Sequence, residues 1–149
     1  MQRLCKAVVQ LGVVGCLPAC GTIASMITYL IAYGIGFGSF SFTLRMAYVA
    51  TMIAIAYATI PATLPVYARK DPRQIVIDEL IGSLIALSLV NQQPLEFFVS
   101  FLLFRFFDIT KYAGVARCEQ LPGATGIILD DCLAGLFAAA ITFLLFHLL

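Results

Sequence analysis

Two adjacent pairs of carboxylates stand in otherwise apolar sequence: Asp78 and Glu79 in Ile75-Val-Ile-Asp-Glu-Leu-Ile-Gly82, and Asp130 and Asp131 in Ile127-Ile-Leu-Asp-Asp-Cys-Leu-Ala-Gly135. In both, three aliphatic residues precede the pair and small residues follow at a spacing of four: Gly82 and Ser83, then Ala134 and Gly135. Helical side chains lean toward the N-terminus, so the residue at i+4 normally covers the one at i. Small residues there are expected to leave the carboxylates uncovered and reachable. A third stretch, Phe104-Arg-Phe-Phe-Asp-Ile-Thr-Lys111, spaces Arg105, Asp108 and Lys111 three apart, near one helix face. Alone, it reads equally well as an ion-pair ladder that neutralises Asp108 and snorkels to an interface. Beside four other carboxylates, Asp108 joins a metal site and Arg105 or Lys111 holds an anion.

The chemistry that wants several carboxylates, free cations and no histidine is narrow. The single histidine, His147, is at the far C-terminal end, which argues against His-based nucleophilic or acid–base catalysis. All-oxygen ligation suits a hard cation, and Mg²⁺ held by carboxylates and a substrate phosphate is the common arrangement. Such an ion screens phosphate charge and activates water or orients an attacking carboxylate, while Arg or Lys stabilises the leaving group. Carboxylates that merely complement a helix dipole, worth ~0.3–1 kcal/mol each, would explain Asp71 or Glu119. They do not explain two pairs plus Asp108 in apolar sequence, because a charge at a membrane-helix centre costs at least ~2.5 kcal/mol.

The elements that must carry these groups are hydrophobic helices. The 149 residues are 62% hydrophobic and 11% charged, where roughly 25% charged is usual for a soluble domain. Mean hydropathy is +1.01. The reading is one integral membrane domain, residues 1–149: an all-α, polytopic helix bundle of about five hydrophobic helices. Spans are expected at about 23–40, 44–67, 75–90, 95–109 and 127 to the C-terminus. Pro61 and Pro65 should kink or end the second. Turns are expected at Gly34–Ser39 and Asn91–Pro94, and polar loops at 68–74 and 110–126. Residues 1–22, with Gly15, Pro18 and Gly21, read as a retained interfacial or re-entrant segment. The net charge of +1 comes from dispersed basic residues, which excludes a nucleic-acid patch. Five cysteines without paired CxxC spacing argue against a disulfide framework or a zinc site.

Charge then orients the bundle. Arg3, Lys6, Arg69, Lys70, Arg73, Lys111 and Arg117 fall on one side of the five-span reading and Arg45 on the other, so the richer side is cytoplasmic. No Asp or Glu occurs before residue 71, and both acidic pairs begin at the cytoplasmic side. A site at that depth points to a phospholipid substrate.

At this point a resemblance is visible. Asp71-Pro-Arg-Gln-Ile-Val-Ile-Asp-Glu-Leu-Ile-Gly82, Phe104-Arg-Phe-Phe-Asp-Ile-Thr-Lys111 and Gly123-Ala-Thr-Gly-Ile-Ile-Leu-Asp-Asp-Cys-Leu-Ala-Gly135 resemble, in order and spacing, the three main blocks of the phosphatidylglycerophosphatase A family. Cys20-Gly-Thr-Ile-Ala-Ser25 is a weaker fourth block. The resemblance implies a Mg²⁺-dependent phosphatase of the bacterial cytoplasmic membrane, converting phosphatidylglycerophosphate to phosphatidylglycerol and inorganic phosphate. It carries over to Asp78, Glu79, Asp108, Asp130 and Asp131 as catalytic groups. Of these, Asp78, Glu79, Asp130 and Asp131 are the metal ligands, with Asp108 a further ligand or general base. Arg105 and Lys111 take the phosphate, with Thr22 and Ser25 as weaker phosphate-side candidates. For Thr22, helix capping is the preferred alternative. Cys20, Ala24, Ala124 and Tyr112-Ala-Gly-Val115 depart from the family's pattern in loops, leaving the acids untouched.

Water attack and an aspartyl-phosphate intermediate both stay open, as does a homo-oligomer. The competing class is a proton or cation transporter, since intramembrane acids also build ion pathways and the echoed motif reads as a repeat. Against it, both motifs enter from the same side.

Overall fold

The computed structural model describes residues 2–67, 73–112 and 114–148. Arg69, Lys70 and Asp71 of the predicted polar loop lie outside the described residues. Among the described residues the chain is all-helical, without strands: α1 (Gln2–Val9), α2 (Cys20–Gly34), α3 (Phe42–Thr63), α4 (Ile77–Ala86), α5 (Pro94–Thr110), α6 (Val115–Glu119) and α7 (Ala124–His147), with short 3₁₀ turns between several of them.

Each of the five apolar stretches expected from sequence overlaps one of the helices α2, α3, α4, α5 and α7, which range from 10 to 24 residues. Two of these, α3 and α7, are long and apolar enough to cross a membrane. The boundaries follow local chemistry. Ser41 caps α3, its Oγ accepting from the Leu44 amide at 3.3 Å. Pro94 opens α5, where its missing N–H costs nothing. Pro61 is accommodated inside α3, and Pro65 sits in the 3₁₀ turn Leu64–Val66 that ends it. The loop expected at 110–126 also contains α6, and α7 starts at Ala124, three residues before the predicted boundary.

The architecture is centred on α4, whose Ile77, Asp78, Ile81, Gly82, Ser83, Leu84, Ile85 and Ala86 are all buried. It packs on α7, α2, α3 and α5. A short helix hidden this way needs no polar face, which is why its sequence reads as a near-continuous apolar run. Polar pins join the neighbours. Tyr29 Oη of α2 lies 2.9 Å from Ser100 Oγ of α5, and Ser100 Oγ donates to the Ala86 carbonyl of α4 at 3.2 Å. Such interhelical bonds are worth about 0.6 kcal/mol on average in membrane bundles.

Arg45 holds the end of the bundle away from the acidic pairs. Its buried guanidinium donates to the carbonyls of Phe40 (2.9 Å), Gly38 (2.5 Å), Val90 (2.7 Å) and Ser88 (3.1 Å), closing the carbonyl ends of two turns. At the opposite end α1 is tied to the chain entering α4, the Val76 amide donating to the Val9 carbonyl at 2.9 Å.

Candidate active site

The two acidic motifs lie side by side. Helices α4 and α7 run in the same direction, and Gly82 faces both Asp131 and Gly135. A Cβ on Gly135 would meet the Gly82 carbonyl oxygen; one on Gly82 would meet the Asp131 carbonyl and the Phe104 ring. The small residues therefore let two backbones approach, as small residues do at membrane-helix contacts. This corrects the expectation that they leave the acids uncovered: Asp78 and Asp131 are only 8% and 3% exposed. Contact between the helices brings the acids together and buries them against a cavity.

The pairs repeat one local geometry. Asp78 Oδ1 accepts from the Glu79 amide at 3.0 Å, and Asp130 Oδ1 accepts from the Asp131 amide at 3.0 Å. Asp78, Glu79 and Asp131 each place a carboxylate oxygen within 4.8 Å of the others. Glu79 Oε2 is buried and, among the described residues, has no hydrogen-bond partner. A buried, unmatched carboxylate oxygen is costly, so three converging carboxylates, one with such an oxygen, fit a hard cation better than they fit each other. Gly21, at the start of α2, makes room for Glu79, whose Oε1 occupies the place a Cβ would take.

Asp130 is engaged differently from its neighbour. Its Oδ2 accepts from Lys111 Nζ at 2.5 Å, whereas Asp131 Oδ1 is 4.0 Å from that nitrogen. Asp108 bridges the two cations, at 2.6 Å from Arg105 Nη1 and 3.2 Å from Lys111 Nζ. The ladder considered for the third motif thus exists, and it extends across to Asp130. Lys111 sits at the end of α5 in a left-handed conformation (φ 50°), where the helix stops and the side chain turns toward α7. Burial alone would lower its pKa, but the hydrogen bond and charge of Asp130, with Asp131 and Asp108, hold it above the ordinary lysine value.

Thr22 and Ser25 do not cap α2. The residue before that helix is Ala19, in a left-handed conformation and without a side-chain cap. Both hydroxyls instead accept from Arg105: Nη2 reaches Thr22 Oγ1 at 3.1 Å and Nη1 reaches Ser25 Oγ at 3.2 Å. Ser25 in turn donates to the Gly21 carbonyl at 2.9 Å.

All five catalytic candidates, Arg105, Lys111 and Thr22 line one cavity of about 500 Å³; Ser25 supports it from behind Arg105. Sequence reasoning missed part of the wall. Residues 15–20, read as an interfacial piece, face the acids, and so do Arg73 and Gln74. From sequence, Arg73 serves as an orienting charge and as part of the block that begins at Asp71, without a place at the site. The available signal was the Gly15, Pro18, Gly21 punctuation, which builds a turn rather than a helix at this point.

Among proteins of known description, the chain is 38% identical over 72 residues to a Bacteroides thetaiotaomicron protein provisionally named phosphatidylinositol-3-phosphatase, covering 46% of this chain and 45% of the relative. It is 36% identical over 75 residues to phosphatidylglycerophosphatase A of Haemophilus influenzae, covering 49% of this chain and 46% of the relative. Each match spans somewhat less than half of the relative's length. No solved structure matches the chain. The family model described as Phosphatidylglycerophosphatase A matches residues 7–146. That match takes in the acidic pairs, the Arg105–Lys111 ladder and the start of α2, and with the two apolar helices it points to a membrane protein. The chain belongs to the phosphatidylglycerophosphatase A family.

Proposed function

We propose that the protein hydrolyses the terminal phosphomonoester of phosphatidylglycerophosphate, releasing phosphatidylglycerol and inorganic phosphate, at a Mg²⁺-dependent site facing the cytoplasm. The observation that carries this reading is the convergence of Asp78, Glu79 and Asp131 beside a lysine and an arginine in one cavity. The two relatives' names share a chemistry: a polyol carrying a phosphomonoester and joined to diacylglycerol through a phosphodiester.

Charge supports the metal. Among the described residues, five carboxyls line the cavity against three cationic side chains, and two of those cations are already held by carboxylates. A phosphate dianion would be repelled from such a surface unless a further cation were bound. Asp78, Glu79 and Asp131 would hold Mg²⁺, with Asp130 alongside them. When bound, the ion supplies charge screening of the phosphate and Lewis acidity toward its oxygens.

The chain's own residues do the rest. Asp108 positions Arg105 and Lys111, and the hydroxyls of Thr22 and Ser25 fix the plane of the guanidinium. Lys111, kept protonated by its carboxylate neighbours, meets negative charge developing on the phosphoryl oxygens. Over the whole reaction the P–O bond to the headgroup breaks and a P–O bond to a water oxygen forms, and the proton that this water gives up ends on the leaving headgroup oxygen. Helices α3 and α7 cross the bilayer, the shorter apolar helices α2, α4 and α5 with their adjoining turns pack beside them to complete the five-span arrangement, and α1 rests at the cytoplasmic interface. The cavity then opens where a lipid headgroup lies.

A substrate panel tests the proposal. The detergent-purified protein should release phosphate from phosphatidylglycerophosphate and do so faster than from phosphatidylinositol 3-phosphate or phosphatidic acid. Release from none of them, together with proton or cation flux in liposomes, would favour the transporter reading.

A further inference from the structure

Three cationic side chains among the described residues line the cavity, and they are not equivalent. Arg105 is bound by Asp108, Ser25 and Thr22, and Lys111 by Asp130 and Asp108. Arg73 makes no ion pair among the described residues, and its side chain is exposed at the cavity wall. Its backbone is anchored: its carbonyl accepts from Cys20 Sγ at 2.8 Å, and three residues on, the Val76 amide is bonded to Val9. An arginine on an anchored backbone, with a guanidinium that no described residue holds, is suited to a second anion near the first.

This step rests on the phosphatase reading above. A phosphomonoester bound at the carboxylate cluster leaves the substrate's other phosphate, the diester, a headgroup's length away and still anionic. We propose that Arg73 grips this phosphodiester, so that the site reads two phosphates at once. The monoester is processed between Asp131 and Lys111, and the diester is held at the wall by Arg73. Arg73 would thereby select lipids whose headgroup carries both, and reject a lipid whose phosphate is a monoester alone.

The product separates the two contacts, because phosphatidylglycerol keeps the diester and inorganic phosphate resembles only the monoester. Steady-state hydrolysis of phosphatidylglycerophosphate in mixed micelles is compared for the wild type, Arg73→Gln and Arg73→Lys, with phosphatidylglycerol and inorganic phosphate as inhibitors. Arg73→Gln should raise KM and weaken phosphatidylglycerol inhibition by about tenfold or more, the loss of a charged hydrogen bond. Its kcat should stay within about twofold, as expected when binding rather than chemistry is lost. Inhibition by inorganic phosphate should be unchanged, and Arg73→Lys should recover part of the loss. Unchanged KM, a wild type insensitive to phosphatidylglycerol, or equal weakening of both inhibitors overturns the assignment of Arg73 while leaving the phosphatase reading intact. A wild type that releases no phosphate at all overturns that reading, and Arg73's role with it.

Discussion

Gly135 of α7 lies against the carbonyl oxygen of Gly82 in α4 so closely that no Cβ fits between them. This contact sits one helical turn beyond both acidic pairs, and it sets how near Asp131 comes to Asp78 and Glu79. Gly135→Ala should push the helices apart at a cost of about 1–3 kcal/mol and open the carboxylate trio. Phosphate release should fall at least ~tenfold with helical content by circular dichroism retained, since enzymes lose this much when catalytic groups move by an ångström. Wild-type turnover by Gly135→Ala would show that the close approach is not what assembles the site.

Arg105 is a fork with three partners: Asp108, Ser25 and Thr22. Lysine keeps the charge but cannot keep that geometry. Arg105→Lys should reduce kcat/KM by roughly tenfold or more, whereas Ser25→Ala, which removes one neutral acceptor, should cost a few-fold at about 1 kcal/mol. A Ser25→Ala loss as deep as that of Arg105→Lys would instead give Ser25 a direct place on the substrate.

The carboxylates around Lys111 raise its pKa, so its charge, and the stability that charge contributes, are present below the ordinary lysine value of about 10.4 and are lost only above it. The alkaline side of the pH–rate profile should therefore show no lysine titration up to about pH 10. The check is to compare wild type with Lys111→Arg between pH 7 and 10. An alkaline decline that disappears in the arginine variant would mean that Lys111 deprotonates in the working range.

Arg45 offers a control at the other end of the bundle. Its guanidinium satisfies carbonyls of Phe40, Gly38, Ser88 and Val90, and it is remote from the cavity. Arg45→Met should lower thermal stability in detergent, each orphaned buried carbonyl costing about 1–3 kcal/mol. The folded fraction should keep near-normal turnover. Lost turnover without lost stability would contradict a purely structural role.

The acidic pairs, the Arg105–Lys111 spacing and the apolar stretches were legible because each is a short-range pattern: neighbouring charges, a period of three to four, a long apolar run. What was not legible depends on contacts between distant segments. Nothing local says that Gly82 and Gly135 meet, so their role was misread as leaving carboxylates bare. Thr22 has the form of a helix cap, yet Ala19 ends the turn and Arg105, 83 residues away, takes its hydroxyl. Residues 15–20 and Arg73 line one cavity, joined by the Cys20–Arg73 and Val9–Val76 hydrogen bonds between segments more than 50 residues apart, contacts that neither stretch shows by itself. Likewise Asp130 and Asp131 are neighbours of identical type, and only the approach of Lys111 separates their environments.

A single titration tests whether the trio Asp78, Glu79 and Asp131 makes this a metal-dependent phosphatase. Inorganic phosphate release from phosphatidylglycerophosphate would be followed against Mg²⁺ concentration, after EDTA treatment, for the wild type and Asp131→Asn. Release should be absent in EDTA and recover with added Mg²⁺, and the Asp131→Asn protein should be folded but inactive at every Mg²⁺ concentration. Full release in EDTA, or Asp131→Asn working as well as the wild type, would contradict that role of the trio.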